Sequence, residues 1–157
     1  MKKSRFVLRT TIVIYTLFMI FALFLYDRTI ASDSLIQYIQ RHCNLVPFAT
    51  FGEYIYLLKT EHLEIQYVLL QIAQNILLML PLGILMPLCF DKFKSFKTTA
   101  LTVIPCFFVI EICQLFFKVG SFDIDDILLY FCGTILGYTL YKLISKYTVR
   151  RQIKATV

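Results

Sequence analysis

The chain has 157 residues, 59% of them hydrophobic and only 17% charged, with a mean hydropathy of +0.72. A soluble domain of this size carries about 45–50% apolar and about 25% charged residues, so these long apolar runs need lipid to cover them rather than one small aqueous core. The formal charge of +6 would suit a nucleic-acid partner if it were spread over a face, but its placement along the chain gives it another meaning and excludes that partner.

The basic start, Met1–Arg9, leads into a first apolar span, Val7–Tyr26, that is longer than a signal-peptide core and lacks a small-x-small cleavage site after it. It reads as a retained helix. The segment from Asp27 to Gln66 follows, too long and too apolar for a simple linker. Within it, Ser34-x-x-Gln37 has the form of a capping box, with Leu35, Ile39 and Cys43 on one helical face. Thr50-x-x-Glu53 offers a second cap ahead of Phe51, Ile55 and Leu58, and Pro47 separates the two. Both short amphipathic helices either lie on the membrane surface or fold over the bundle.

Three further spans are expected at Tyr67–Phe90, Thr98–Phe117 and Ile127–Ile144. About 20 helical residues cross a hydrocarbon core of about 30 Å, so each suffices or nearly so. Pro81-Leu82-Gly83 and Pro87 predict a kink or local unwinding of the second, with freed carbonyls near Leu77. Gly133-x-x-x-Gly137 in the fourth permits close helix contact, either within the chain or in a homodimer. The expected architecture is an all-α integral membrane protein: one domain over residues 1–157, a bundle of four transmembrane helices with short amphipathic helices in the first extracellular loop.

Basic residues orient it. Twelve of the sixteen lysines and arginines precede the first span, occupy the loop after the second, or close the chain; Arg28, Arg41, Lys59 and Lys118 fall on the other side. The positive-inside rule then puts both termini in the cytoplasm. Eight of the ten acids, among them Asp123, Asp125 and Asp126, lie outside. The five cysteines form no C-x-x-C and no paired metal motif, and four of them sit in apolar stretches as small packing residues. No cofactor or metal motif is present.

Polar groups inside spans are costly and serve as a functional-site hypothesis by default. The second span holds Gln71, Gln74 and Asn75, and the third Glu111 and Gln114. Counted from the outer surface, Asn75 lies about 12 Å deep and Glu111 about 9 Å, so the two clusters share a level. An ionised carboxylate at such depth costs about 2.5–3.5 kcal/mol on insertion scales, so Glu111 is protonated, hydrated or paired, and Lys118 is the basic residue nearest in sequence. Asp123, Asp125 and Asp126 stand at the head of the fourth helix, where acids cap and complement the dipole. Asp123 and Asp126, three apart, can face one way and Asp125 another. Interhelical hydrogen bonding is the competing structural role for the amides, worth about 0.6 kcal/mol each.

Asn44-Leu45-Val46-Pro47-Phe48, Asn75 followed by Pro81-Leu82-Gly83, Glu111-x-x-Gln114, Gly120-x-x-Asp123-Ile124-x-Asp126, and Gly133 with Gly137 occur in that order. This pattern, over about residues 44–138, resembles the VanZ-like family. Where many members have an amide four residues after the last aspartate, this chain has Tyr130. The resemblance implies a small multi-pass protein of a bacterial cell membrane, here a Gram-positive one, and a link to low-level resistance to teicoplanin, a lipid-bearing glycopeptide antibiotic. It also marks Asn44, Pro47, Asn75, Glu111, Gln114, Asp123 and Asp126 as site candidates without assigned chemistry.

Three functions follow. In the first, an outer-leaflet polar cleft binds a lipid-linked cell-wall precursor or the lipoglycopeptide itself. In the second, a membrane-embedded enzyme acts on a lipid-linked or peptidyl substrate, with Glu111 and Asp123 or Asp126 as acid/base or metal-binding groups. A coupled transporter is the third, and four spans without an inverted repeat give it little support.

Overall fold

In the computed structural model, residues 2–25, 34–60 and 62–156 are described, with no account of the side chains of 2–5, 25 and 148–156. Asp27, Arg28, Asp33 and Glu61, and Tyr26 at the end of the first expected span, lie outside the described residues. The elements are α1 (Lys2–Leu25), α2 (Leu35–His42), β1 (Cys43–Asn44), α3 (Ala49–Lys59), α4 (Ile65–Cys89), a 3-10 turn (Asp91–Lys94), α5 (Phe96–Phe116), β2 (Phe122–Asp123) and α6 (Ile124–Thr156).

Four helices are long and apolar enough to cross a membrane: Phe6–Phe24, Ile65–Cys89, Phe96–Phe116 and Ile124–Tyr147. Each matches an expected span to within three residues at either end. Phe6, Ile14, Leu69, Leu101, Val109 and Leu143 point outward with about half or more of their surface bare, an arrangement only a bilayer covers at acceptable cost. The protein is therefore an all-α, multi-pass membrane protein.

The bundle is organised around α4 and α6, the most extensive helix pair. Gly133 and Gly137 explain the closeness. A Cβ on Gly137 would stand 2.0 Å from the Leu80 carbonyl oxygen, and one on Gly133 2.3 Å from that of Ile76. Gly83 answers from the other side, its missing Cβ 2.3 Å from the Thr134 carbonyl. The small-residue face is thus filled by α4 of the same chain, which removes it as a dimer surface. Met79, fully buried, marks the centre of the core with Phe107, Val103 and Tyr130 around it.

The α4 helix runs without interruption through Pro81 and Pro87, so the expected unwinding does not occur. Proline still removes one backbone donor per position, and next to the carbonyl of Leu77 that Pro81 leaves free, the Tyr15 hydroxyl of α1 donates to the Leu78 carbonyl. Gln114 makes a second tie to α1, its Nε2 donating to the Leu23 carbonyl at 2.9 Å. Otherwise α1 is peripheral, with 6% of its span buried in the chain against 39% for α6. At the opposite end, Tyr138 donates to the Lys94 carbonyl at 2.5 Å and fixes the α4–α5 turn.

Of the cysteines, Cys89 is buried and donates to the Leu8 carbonyl, whereas Cys106 and Cys132 are exposed along the spans. The expectation of small buried packers therefore holds for Cys89 and fails for those two.

Residues 34–60 fold over one end of the bundle. Ser34 caps α2 as expected, with the reciprocal bonds of a capping box to Gln37. Tyr38 is the buried anchor of α2; its hydroxyl donates to the Gly120 carbonyl at 3.0 Å. Cys43 falls past the helix end rather than on its face, in a two-residue parallel pairing that sets Cys43 opposite Phe122 and Asn44 opposite Asp123.

Candidate functional site

The site grows from the β1–β2 pairing and the turn that delivers β2. Helix α5 ends in a Schellman arrangement: Val119 N–H bonds the Gln114 carbonyl and Lys118 N–H that of Leu115. Lys118 takes the left-handed position usually given to glycine, at φ 53°. The chain then reverses, runs extended through Phe122–Asp123, and enters α6 at Ile124. Asp123 closes that entry, its Oδ1 accepting from the Asp125 N–H at 2.8 Å, which is the capping role expected of an acid there.

Asp123 also fastens the overlying segment. Its Oδ1 accepts from Asn44 Nδ2 at 3.1 Å and its Oδ2 from the Thr50 hydroxyl at 2.5 Å. Asn44 Nδ2 is shared with Thr50 Oγ1 at 3.0 Å, and Asn44 Oδ1 holds the Val46 N–H at 3.0 Å. Thr50 is therefore not an N-cap. It lies inside α3, which begins at Ala49 behind Phe48 in the left-handed conformation with no side-chain cap of its own.

The missing cap comes from α6. Asp125 Oδ1 accepts from the Phe48 N–H at 2.6 Å and Oδ2 from the Thr50 N–H at 3.0 Å. A carboxylate 75 residues away thus serves the orphan donors of α3. Asp125 is 1% exposed, and it was not among the sequence candidates. Asp123 and Asp126 face one cavity and Asp125 turns the other way, to α3, as their spacing suggests.

Beneath this latch lies the membrane-level cluster. Asp126 Oδ1 accepts from Asn75 Nδ2 at 2.5 Å, joining α6 to α4. Glu111 is 1% exposed; its Oε2 accepts from the Asp123 N–H at 3.3 Å, and its Oε1 is buried without a hydrogen-bond partner. The groups around it are Asp126, Asp123 and the Tyr130 phenol. Lys118, nearest in sequence, is not one of them. The tyrosine in place of the amide common elsewhere thus stands directly against Glu111.

The sequence candidates divide accordingly. Asn44, Asn75, Asp123 and Asp126 line one open cavity of about 760 Å³ between the bundle end and the α2–β1–α3 cover. Glu111 lies against it, behind Asp123 and Asp126. Gln114 points instead to α1, and Pro47 is exposed in the turn before α3, away from the cavity wall. Sequence reasoning did not single out Arg41, His42, Tyr54 and Tyr67, which also line the cavity. His42 stacks on Tyr38 at 4.1 Å between ring centroids. The Tyr54 phenol is pushed above its usual range, first by burial and then by the negative charge of Asp126 with Tyr67, Asp123 and Glu53.

A second cavity, of about 710 Å³, opens between α1 and α4 and is almost wholly apolar, lined by Tyr15, Phe18, Phe21, Leu77, Leu78 and Pro81. Asn75 borders both cavities. Among the described residues, no three His, Cys, Asp or Glu side chains converge where a metal ion could be held.

Comparison with known proteins agrees with this frame. Protein VanZ of Enterococcus faecium is 24% identical over 124 residues, a stretch covering 79% of this chain and 67% of that protein. No solved structure matches. The profile of the family described as VanZ/LLP1 matches residues 12–145, and the chain belongs to that family.

Proposed function

We propose that the protein binds an amphiphile of the cell envelope, a lipid-linked wall component or a lipoglycopeptide, and thereby contributes to low-level resistance to teicoplanin-type antibiotics. One observation carries this reading: a polar cavity and an apolar cavity, each within the 300–1,000 Å³ common for ligand sites, meet at Asn75. Asn44, Asp123 and Asp126 offer hydrogen bonds to sugars or amides. The groove between α1 and α4 accepts an acyl or prenyl chain entering sideways from lipid. The bias of basic residues toward the other end of the bundle orients the polar cavity outward, with both termini in the cytoplasm of a Gram-positive cell.

The test is susceptibility to teicoplanin and to vancomycin, which lacks the lipid, in cells expressing wild type, Asn75→Leu or Glu111→Gln at matched abundance. Protection selective for teicoplanin that disappears in both variants supports the reading. Equal protection against both drugs, or full protection by the variants, overturns it.

A further inference from the structure

Helix α3 is fixed to the bundle at its ends. At its start, the Phe48 and Thr50 amides bond to Asp125 in the first turn of α6, and Asn44 just before it pairs with Asp123. At its far end, the His62 N–H bonds back to the Leu57 carbonyl, and α4 begins at Ile65. None of the α3 side chains is buried. Thr50, Glu53 and Leu57 line the polar cavity. Leu45, Val46, Phe48, Ile55 and Tyr56 do not line it, and they are between 54% and 67% exposed.

The level of this apolar face follows from the spans. Lys97 opens α5 and Lys142 stands in the far part of α6, both exposed and both at the end of the bundle away from the cover. The hydrocarbon core is about 30 Å thick, or roughly 20 helical residues. Counted from Lys97 it ends near Phe117, and counted back from Lys142 it ends near Phe122. The two counts meet at the turn between α5 and β2, which β1 joins through the pairing of Cys43 with Phe122. Leu45 and Val46 follow β1 directly and Phe48 is tied to Asp125, so all three are delivered to the edge of the hydrocarbon. Helix α4 has 25 residues, more than the roughly 20 the core needs, so its head stands above that edge and α3 climbs toward it. The exposed side chains change in the same order: Leu45, Val46 and Phe48 first, then Ile55 and Tyr56, and finally Lys59. Apolar groups in the hydrocarbon, tyrosine at the interface and lysine above it form the gradient that a bilayer surface imposes on an interfacial helix.

We propose that residues 45–59 are an interfacial membrane element. Leu45, Val46 and Phe48 enter the edge of the hydrocarbon, Ile55 and Tyr56 lie among the headgroups, and Lys59 meets lipid phosphate. The occupant of this face is the phospholipid of the adjoining leaflet, continuous with the lipid that covers Leu69 and Leu70 of α4, which are 58% and 55% exposed. The polar cavity on the opposite face of α3 then opens in the headgroup layer rather than in bulk water. This holds whatever the cavity binds, so it stands apart from the amphiphile reading.

The chain contains no tryptophan, so a single introduced indole reports its own position. The full chain is reconstituted in vesicles of phosphatidylcholine and phosphatidylglycerol, with and without lipid brominated on its acyl chains. Val46→Trp and Ile55→Trp are compared with Glu53→Trp on the cavity side and Leu69→Trp on the lipid side, with helicity by circular dichroism as the check of folding. Val46→Trp is expected to be quenched by the bromines about as strongly as Leu69→Trp and Glu53→Trp about threefold less, because an interfacial apolar face sits about 5–10 Å deep. Ile55→Trp falls between them, and dissolved acrylamide quenches in the reverse order.

Bromine quenching of Val46→Trp and Ile55→Trp no stronger than that of Glu53→Trp overturns the proposal. Acrylamide then says what replaces it: strong quenching puts the face in water, and weak quenching puts it under protein. Leu45→Trp, at a position 67% exposed on the same edge, takes the place of Val46→Trp should that variant fail to fold.

Discussion

Replacing Gly137 by alanine tests the α4–α6 contact at the base of the site. The added Cβ would meet the Leu80 carbonyl oxygen at 2.0 Å and the Gly83 Cα at 3.0 Å, both backbone atoms of a continuous helix that has no side chain to swing aside. Ordinary contact begins at 3.4 Å, so the two helices must part locally by about 1.4 Å, on the order of a quarter of a turn's pitch. Overpacking of this kind costs about 1–3 kcal/mol, and the better helix propensity of alanine returns about 1 kcal/mol at most. A net loss of about 1–2 kcal/mol is expected, since packing is the main force between helices in lipid. Gly52 supplies the control. It lies in the interior of α3 with nothing within 4 Å of its would-be Cβ, so Gly52→Ala should stabilise by about 0.5–1 kcal/mol. The assay is reversible unfolding in mixed micelles by titration with dodecyl sulfate, read by circular dichroism. A Gly137→Ala protein as stable as wild type would refute the packing argument, and the paired control keeps a general response to alanine from being mistaken for it.

Asp125→Ala strips both acceptors from the first turn of α3. With two charge-assisted bonds lost, the α3 cover should be destabilised by about 2–4 kcal/mol, visible as faster proteolysis within residues 45–60 while the spans keep their helicity. Ser34→Ala removes the capping box of α2 and should cost about 1 kcal/mol, measured as faster hydrogen exchange at the Tyr38 amide and unchanged exchange in α4. The Tyr54 phenol, raised by burial and by Asp126 and its neighbours, should titrate above the usual value of about 10 in a carbon-13 tyrosine spectrum and move back down in Asp126→Asn. The sign follows from the raised folded value: the stabilisation is intact below the unfolded value of about 10 and is lost as pH rises through the folded one.

The spans were legible because lipid imposes a single strong condition, a run of about 20 apolar residues, and nothing tertiary competes with it. Their ends were less so. Helix α6 continues through Lys142 and Lys146 to Thr156, because lysine and arginine are good helix formers whose stems reach past the interface. The clustering of Asn75, Glu111 and the α6 acids could be read from depth alone, since adjacent antiparallel helices place equal depths side by side. What could not be read was long-range and brief. The pairing of Cys43–Asn44 with Phe122–Asp123 leaves no periodicity in two residues. The capping of α3 by Asp125 joins a carboxylate to backbone amides that carry no sequence signature. Thr50 illustrates the same limit: its local pattern fits an N-cap, yet the stronger acceptor on Asp123 takes its hydroxyl.

The central claim is that one amphiphile occupies both cavities joined at Asn75. Native mass spectrometry of the detergent-purified full chain tests it most directly, comparing wild type with Ala22→Trp, which fills the apolar groove, and with Asp126→Asn, which alters the polar floor. The account predicts a retained species of defined mass on the wild type that is lost from both variants. The same set of adducts on all three proteins would contradict it.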